Sequence, residues 1–300
     1  MAETHRILII DGYPKPSRDD FDTAGMKYAG VLYAEMLQTY LPGAGYDILY
    51  TSDPGAAAPD RKALSAYDGV LWPGCNLTVY HTDDPRVKIM IEICDRAFEA
   101  GLPQFGTCWG IQLPAFVAGG EVKPNPKGRE MGIGRKIRLT EEGKNHPMMA
   151  GKPEVYSHFV SHDDEVTRLP RGAVLIAGND FSAIQAAEIR HKKGVFWGLQ
   201  YHPEYDLHEM ARLMVAREQK LTELGFFKEH NDFTEYVSRL EALHTEPGRK
   251  DLRWQLGIDD DILSADIRQC EFKNWVDTFM LKKSPERRRH VRTSLQPGSN

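Results

Sequence analysis

The sequence predicts an α/β protein: a mostly parallel sheet flanked by helices, with an antiparallel excursion and an all-helical C-terminal extension. Three observations lead there. Short apolar runs alternate with amphipathic stretches through about two-thirds of the chain, the pattern of strands joined by crossover helices. Two of those runs, residues 102–107 and 194–200, end abruptly at chemistry-bearing residues, as strands of an open parallel sheet do at their carboxyl ends. Beyond Tyr205 only helical spacing remains.

The elements follow in order. Residues 7–10, Ile-Leu-Ile-Ile, make the first strand. Residues 24–40 carry Met26, Ala29, Tyr33, Met36 and Leu37 at helical spacing. Residues 46–50 and 69–72 are the second and third strands, the latter running into Pro73-Gly74. Residues 85–100 form a helix with Val87, Met90, Ile91, Cys94 and Phe98 on one face. His81-Thr82-Asp83-Asp84 before it reads better as a helix cap than as metal ligands, because Asp followed by Pro suits a helix start. Residues 102–107 are the fourth strand. Pro114 lies inside the helix that follows, where it removes a hydrogen bond and favours a kink.

From 119 to 164 the character changes. Residues 123–128 read as a loop, and 137–140 and 155–160 as strands without a long helix between them. With 174–177 and 184–189 they make an antiparallel excursion beside the main sheet. Past Tyr205, Phe233, Tyr236, Val237, Leu240 and Leu243 form one apolar stripe, and Phe272, Trp275, Val276 and Phe279 another. These stripes predict burial, mostly against the protein's own sheet, since amphipathic helices are marginal alone in water. Lys282, Lys283, Arg287, Arg288, Arg289 and Arg292 make a basic tail, read as a solvated helix end. The chain thus divides into residues 1–210 and an extension, 211–300.

The 300 residues carry a net charge of -5, which gives no electrostatic reason to expect nucleic acid. There is no apolar run long enough to span a membrane and no signal-peptide core. Four cysteines, Cys75, Cys94, Cys108 and Cys270, stand far apart with no C-x-x-C spacing, so neither a disulfide framework nor a zinc site is expected, and a reducing cytoplasm fits. No Gly-rich phosphate loop is present.

The chemistry concentrates in Phe105-Gly106-Thr107-Cys108-Trp109-Gly110-Ile111-Gln112. A strand turning sharply into a helix presents the turn residue at the top of a sheet, and glycines on both sides keep the bend open. A thiol at a helix N-terminus feels the positive end of the peptide dipoles, which is how a nucleophile is made. The alternative for Cys108 is a buried small hydrophobe. Tyr201-His202-Pro203-Glu204, at the end of strand 194–200, supplies a base and an orienting carboxylate one residue apart on the same side of an extended segment. Cys75, with no partner motif, reads as packing; His162 reads as structural.

Gly-Thr-Cys-Trp-Gly-Ile-Gln followed by Gly-Leu-Gln-Tyr-His-Pro-Glu resembles the class I (triad) glutamine amidotransferases, above all the amidotransferase domain of GMP synthetase. Leu71-Trp72-Pro73-Gly74, Gly128-Arg129-Glu130-Met131-Gly132 and Ser161-His162-Asp163-Asp164-Glu165-Val166 agree in order, with Asp163 where the family usually has glycine. The resemblance covers residues 5–210 and implies a flavodoxin-like sheet. It implies Cys108 as nucleophile, His202 as base and Glu204 as its orienter. The backbone N–H groups of Gly74 and Trp109 would form the oxyanion hole, and Gln112, Ser161 and Asp164 would hold glutamine. No cofactor and no metal are implied. The leading expectation is a glutaminase whose ammonia passes to a synthetase on a separate chain, an arrangement that also admits a homo-oligomer. The runner-up is a stand-alone hydrolase of γ-glutamyl amides or peptides, and a third reading is a non-catalytic protein that retains the fold.

Overall fold

Strand β1 (Arg6–Asp11) buries five of its six residues. Its apolar run therefore serves two faces at once. Leu8 and Ile10 join one hydrophobic cluster, Ile7 and Ile9 the other, as side-chain alternation requires. Burial on both faces marks a central parallel strand. The structure, a computed structural model, describes residues 5–282. Of the basic tail only Lys282 falls within that range; Lys283, Arg287, Arg288, Arg289 and Arg292 lie outside the described residues.

Around β1 the sheet holds β2 (Gly45–Tyr50), β3 (Gly69–Trp72), β4 (Pro103–Thr107), β6 (Glu130–Leu139), β7 (Val155–His162), β9 (Val174–Gly178), β10 (Ala186–His191) and β11 (Gly194–Leu199) in the order β2-β1-β3-β4-β11-β10-β9-β6-β7. The pairs from β2 to β11 are parallel and those from β11 to β7 antiparallel. The antiparallel strands thus continue the main sheet rather than standing beside it. A tight β10–β11 hairpin, with Lys192 at φ 51°, lets the far edge of β11 accept them. A separate ribbon pairs β5 (Glu121–Pro124) with β8 (Asp164–Arg168). Lys123 and Pro124, expected in a loop, sit opposite Glu165 and Asp164 there.

The helix expected over 24–40 starts later, as α2 (Ala29–Tyr40), and it is preceded by a helix that was not expected, α1 (Lys15–Ala24). Gly25, at φ 75°, caps α1 and turns the chain, a conformation glycine takes freely. Helices α3 (Arg61–Leu64), α4 (Pro85–Ala100), α5 (Trp109–Val117) and α6 (Glu141–Lys144) follow. Asp84 caps α4 by accepting from the Arg86 N–H at 2.9 Å. Pro114 lies inside α5, which continues to Val117.

The C-terminal helical region holds α7 (Leu207–Ala216), which crosses the boundary expected at 210, then α8 (Glu218–Glu223), α9 (His230–Thr245), α10 (Lys250–Leu256), α11 (Asp260–Leu263), α12 (Ala265–Arg268) and α13 (Cys270–Trp275), which runs into a π-helical turn, Val276–Leu281. It covers both faces of the sheet. Met210, Leu213, Leu240 and Leu243 join the cluster of Leu8 and Trp72. Phe272, Trp275, Val276 and Met280 join that of Ile7, Ile9 and Phe105. The Phe272 ring meets Phe105 edge-on at 5.3 Å. A Cβ on Gly69 would lie 2.9 Å from the Trp275 indole, so β3 accepts that ring only because it is bare there. Glu271 pairs with Lys152 at 2.9 Å with both side chains fully buried, and it accepts the Tyr201 hydroxyl at 2.6 Å. Among the described residues no helix is long and apolar enough to cross a membrane.

Candidate active site

Strand β4 delivers Thr107, then the chain turns at Cys108 with φ 56° and ψ -108° before α5 begins. A side-chain-bearing residue at positive φ is strained and persists only where its surroundings hold it. The Cys108 N–H is pinned to the Leu199 carbonyl at the end of β11, 2.7 Å away. A Cβ on Gly110 would fall 2.6 Å from the Trp72 carbonyl oxygen, and one on Gly106 would fall 2.8 Å from the Trp72 side chain. The two glycines flanking Cys108 therefore let the turn press against β3. The first N–H groups of a helix have no acceptor one turn back; here the Ile111 N–H bonds the Cys108 carbonyl at 3.1 Å. The Cys108 Sγ donates to the Ser161 carbonyl at 3.4 Å.

His202 follows β11, its N–H bonded to the Phe159 carbonyl at 2.9 Å. Its Nδ1 lies 2.6 Å from Glu204 Oε1. A carboxylate only accepts, so Nδ1 carries the hydrogen. Nε2 is buried and, among the described residues, has no nitrogen or oxygen partner; the Cys108 thiol faces it. Behind the pair, Thr107 donates to the same Glu204 oxygen at 3.1 Å and accepts the Tyr33 hydroxyl at 2.8 Å. Tyr205 stacks on the imidazole at 4.3 Å. The side chains of His202 and Glu204 are 1% exposed. Burial alone would push the His202 pKa down, but the Glu204 carboxylate and the Cys108 thiol outweigh it and hold it up at about 10.

Cys108, Trp109, Gln112, Ser161 and Asp164 line one cavity of about 280 Å³. Gly74 presses against it: a Cβ there would lie 3.1 Å from both Cys108 Cβ and His202 Cε1. Gln112 donates to the Asp164 carbonyl at 2.9 Å, and Tyr80 to the Asp164 carboxylate at 3.1 Å. All eight residues expected from the sequence are thus brought together. Asp163 accepts Arg129 at 2.6 Å and Lys220 at 2.8 Å. Partial burial pushes its carboxyl up, but these two cations prevail and lower it. His162 has both ring nitrogens engaged, by Glu130 at 2.9 Å and the Asp164 carbonyl at 3.0 Å, as a structural histidine does. Cys75 is buried, which raises its thiol pKa.

Other residues of the site were missed in the sequence. Tyr13 lines the cavity; its signal was its position just past the first strand. Thr107 and Tyr33 buttress Glu204. Leu213, Arg217 and Lys220 reach the cavity from α7, α8 and the junction between them, and no local pattern marked them. A turn-held thiol at a helix start, beside an imidazole oriented by a carboxylate, suits acyl transfer from an amide.

Residues 35–220 match the family described as glutamine amidotransferase class-I. A γ-glutamyl-L-1-hydroxyisopropylamide hydrolase from a Pseudomonas species is 33% identical over 288 residues, covering 93% of this chain and 94% of that protein. A glutamine-hydrolysing GMP synthase from Latilactobacillus sakei is 35% identical over 185 residues, or 62% of this chain. The match spans only 33% of that synthase's length. Among solved structures, a glutamine amidotransferase from Thermotoga maritima shares the fold with a TM-score of 0.65 at 19% identity, over 92% of this chain and 100% of that one.

Proposed function

The chain belongs to the class I glutamine amidotransferase family, enzymes with a cysteine nucleophile, and on that premise we propose that Cys108, His202 and Glu204 hydrolyse the side-chain amide of γ-glutamyl amides, glutamine being the simplest. The thiol proton passes to His202 Nε2 before the attack, the imidazolium so formed being held by Glu204, and the Cys108 sulfur then attacks the γ-carbonyl carbon. The oxygen that becomes negative is met by the Gly74 and Trp109 N–H groups. The C–N bond breaks, His202 returns the proton to the departing nitrogen, and a thioester remains. Water, deprotonated by the same imidazole, splits the thioester to glutamate and the free thiol. Gln112, Ser161 and Asp164 hold the glutamyl end.

Coverage carries the choice between the two hydrolytic readings. The γ-glutamyl amide hydrolase matches nearly end to end, through the helices that bring Leu213, Arg217 and Lys220 to the cavity. This reverses the order in which the sequence ranked them. The second reading, a glutaminase passing ammonia to a synthetase on a separate chain, is favoured by the GMP synthase similarity over 185 residues. The experiment offers the purified protein glutamine and a γ-glutamyl alkylamide and quantifies glutamate, ammonia and amine. Amine release, its loss in Cys108→Ala, and labelling of the Cys108 peptide by a glutamine-like chloroketone are the expected results. Undiminished activity in Cys108→Ala, or turnover of neither substrate, overturns the proposal.

A further inference from the structure

His202 has two backbone anchors, and both lead into the C-terminal helices. The first is the Phe159 carbonyl on β7, which accepts the His202 N–H at 2.9 Å. The residue before it, His158, donates from Nε2 to the Arg268 carbonyl at the end of α12, 2.9 Å away, while its Nδ1 accepts the Phe159 N–H at 3.0 Å. Burial holds the His158 pKa well below the ordinary histidine value, so the ring stays neutral and keeps that one tautomer. The second anchor is Tyr201, the chain neighbour of His202. Its ring stacks on His158 at 4.4 Å. Its hydroxyl donates to Glu271 of α13 at 2.6 Å and accepts from the Tyr156 hydroxyl at 2.9 Å.

We infer that α12 and α13 clamp the catalytic base, and that Glu271 is the positioning residue that holds Tyr201, and through it His202, in place against Cys108. The inference rests on His202 being the base and adds the C-terminal helices to its support. The Lys152 ammonium meets both Glu271 oxygens, at 2.9 and 3.2 Å, and the Ile267 carbonyl at 2.9 Å. Taking two charges out of water is costly, and an apolar pair of the same size would serve stability as well or better. What such a pair would not supply is a fixed acceptor for the Tyr201 hydroxyl. Tyr201 is fully buried, so without Glu271 its donor must turn elsewhere and the ring with it. Displacing a reacting group by about 1 Å can cost about a hundredfold in rate. Lys152, Tyr201 and Glu271 do not line the cavity, so their effect falls on turnover rather than on substrate binding.

The test uses the full chain and two double variants. Lys152→Met with Glu271→Met replaces the ion pair by apolar side chains and removes the Tyr201 acceptor. Lys152→Met with Glu271→Gln removes the charges and keeps an acceptor oxygen. The readouts are kcat and KM on glutamine and γ-glutamyl-ethylamide, the melting temperature, and the rate of Cys108 alkylation by iodoacetamide. The first double variant should lose about ten- to hundredfold in kcat and about tenfold in alkylation, with KM within about threefold and the melting temperature within a few degrees of wild type. The second should recover kcat to within about threefold of wild type. Tyr201→Phe keeps the ring stacking, should reproduce the loss in kcat and alkylation, and carries the test if neither double variant folds. Wild-type kcat and alkylation in the first double variant or in Tyr201→Phe, or an equal loss in both double variants, overturns the clamp. A wild-type protein that turns over neither substrate removes the hydrolase reading, and the alkylation rates then decide the clamp by the same comparison.

Discussion

Glu204→Gln exchanges a carboxylate for an amide of the same shape, 2.6 Å from the His202 ring. Unit charges about 4 Å apart attract by roughly 4 kcal/mol at an effective dielectric near 20. At about 1.4 kcal/mol per pKa unit that is close to three units. His202, held up at about 10, should therefore titrate well below that in the variant. The sign for stability follows. A raised imidazole pKa stabilises the fold fully below the ordinary histidine value, and the contribution is lost as pH rises through about 10. The wild-type protein should lose thermal stability from this pair between neutral pH and 10, and the variant should not. Catalysis suffers for a second reason: the glutamine NH₂ can donate to Nδ1 and force the hydrogen onto Nε2, the wrong tautomer. Turnover should fall by roughly two to four orders of magnitude, as removal of an orienting carboxylate can cause. Labelled-histidine NMR titration and steady-state kinetics on the same sample check both points. A His202 midpoint still near 10, or kcat within twofold of wild type, would refute the coupling.

Two further outcomes are expected. Trp275→Ala removes a fully buried indole from between β3 and Phe105 and should cost about 3–5 kcal/mol in urea unfolding; a loss under about 1 kcal/mol would show that the extension does not share the core. Gly74→Ala places a methyl 3.1 Å from both Cys108 and His202, and should lower kcat by about tenfold or more while the melting temperature stays within a few degrees; normal kcat would mean that the pocket wall yields freely.

The parts of the fold that were legible in the sequence obey local rules. Residues 69–72 and 85–100 read correctly because a short apolar run and a capped, periodic stretch each carry their own boundary signals. The turn at Gly25 was missed because Met26, just past it, fits the helical period of Ala29 and the residues beyond, and one glycine does not reveal its φ. The place of β6, β7 and β9 in the main sheet depends on which edge β11 leaves open, a property of the assembled sheet. The same division holds at the site. Cys108, His202 and Glu204 stand at strand ends in recognisable runs. Tyr13 and Arg217 meet at the cavity from positions separated by most of the chain, and Thr107 and Tyr33 matter through hydrogen bonds that only the fold creates.

The placement of the extension on both sheet faces has a consequence for synthesis. Tyr40 bonds to Gln269, a residue made 229 positions later. The face carrying Ile7, Ile9 and Phe105 gains Phe272 and Trp275 only when α13 leaves the ribosome. By then Cys108, His202 and Glu204 have all emerged, so the chemistry is present before its fold is sealed. Contacts so distant in sequence form slowly, and an open apolar face is an aggregation site meanwhile. A chain released before α13 would carry every residue of the triad on a sheet with one face uncovered. The speed with which α13 docks therefore matters to this protein as well as the geometry of its thiol.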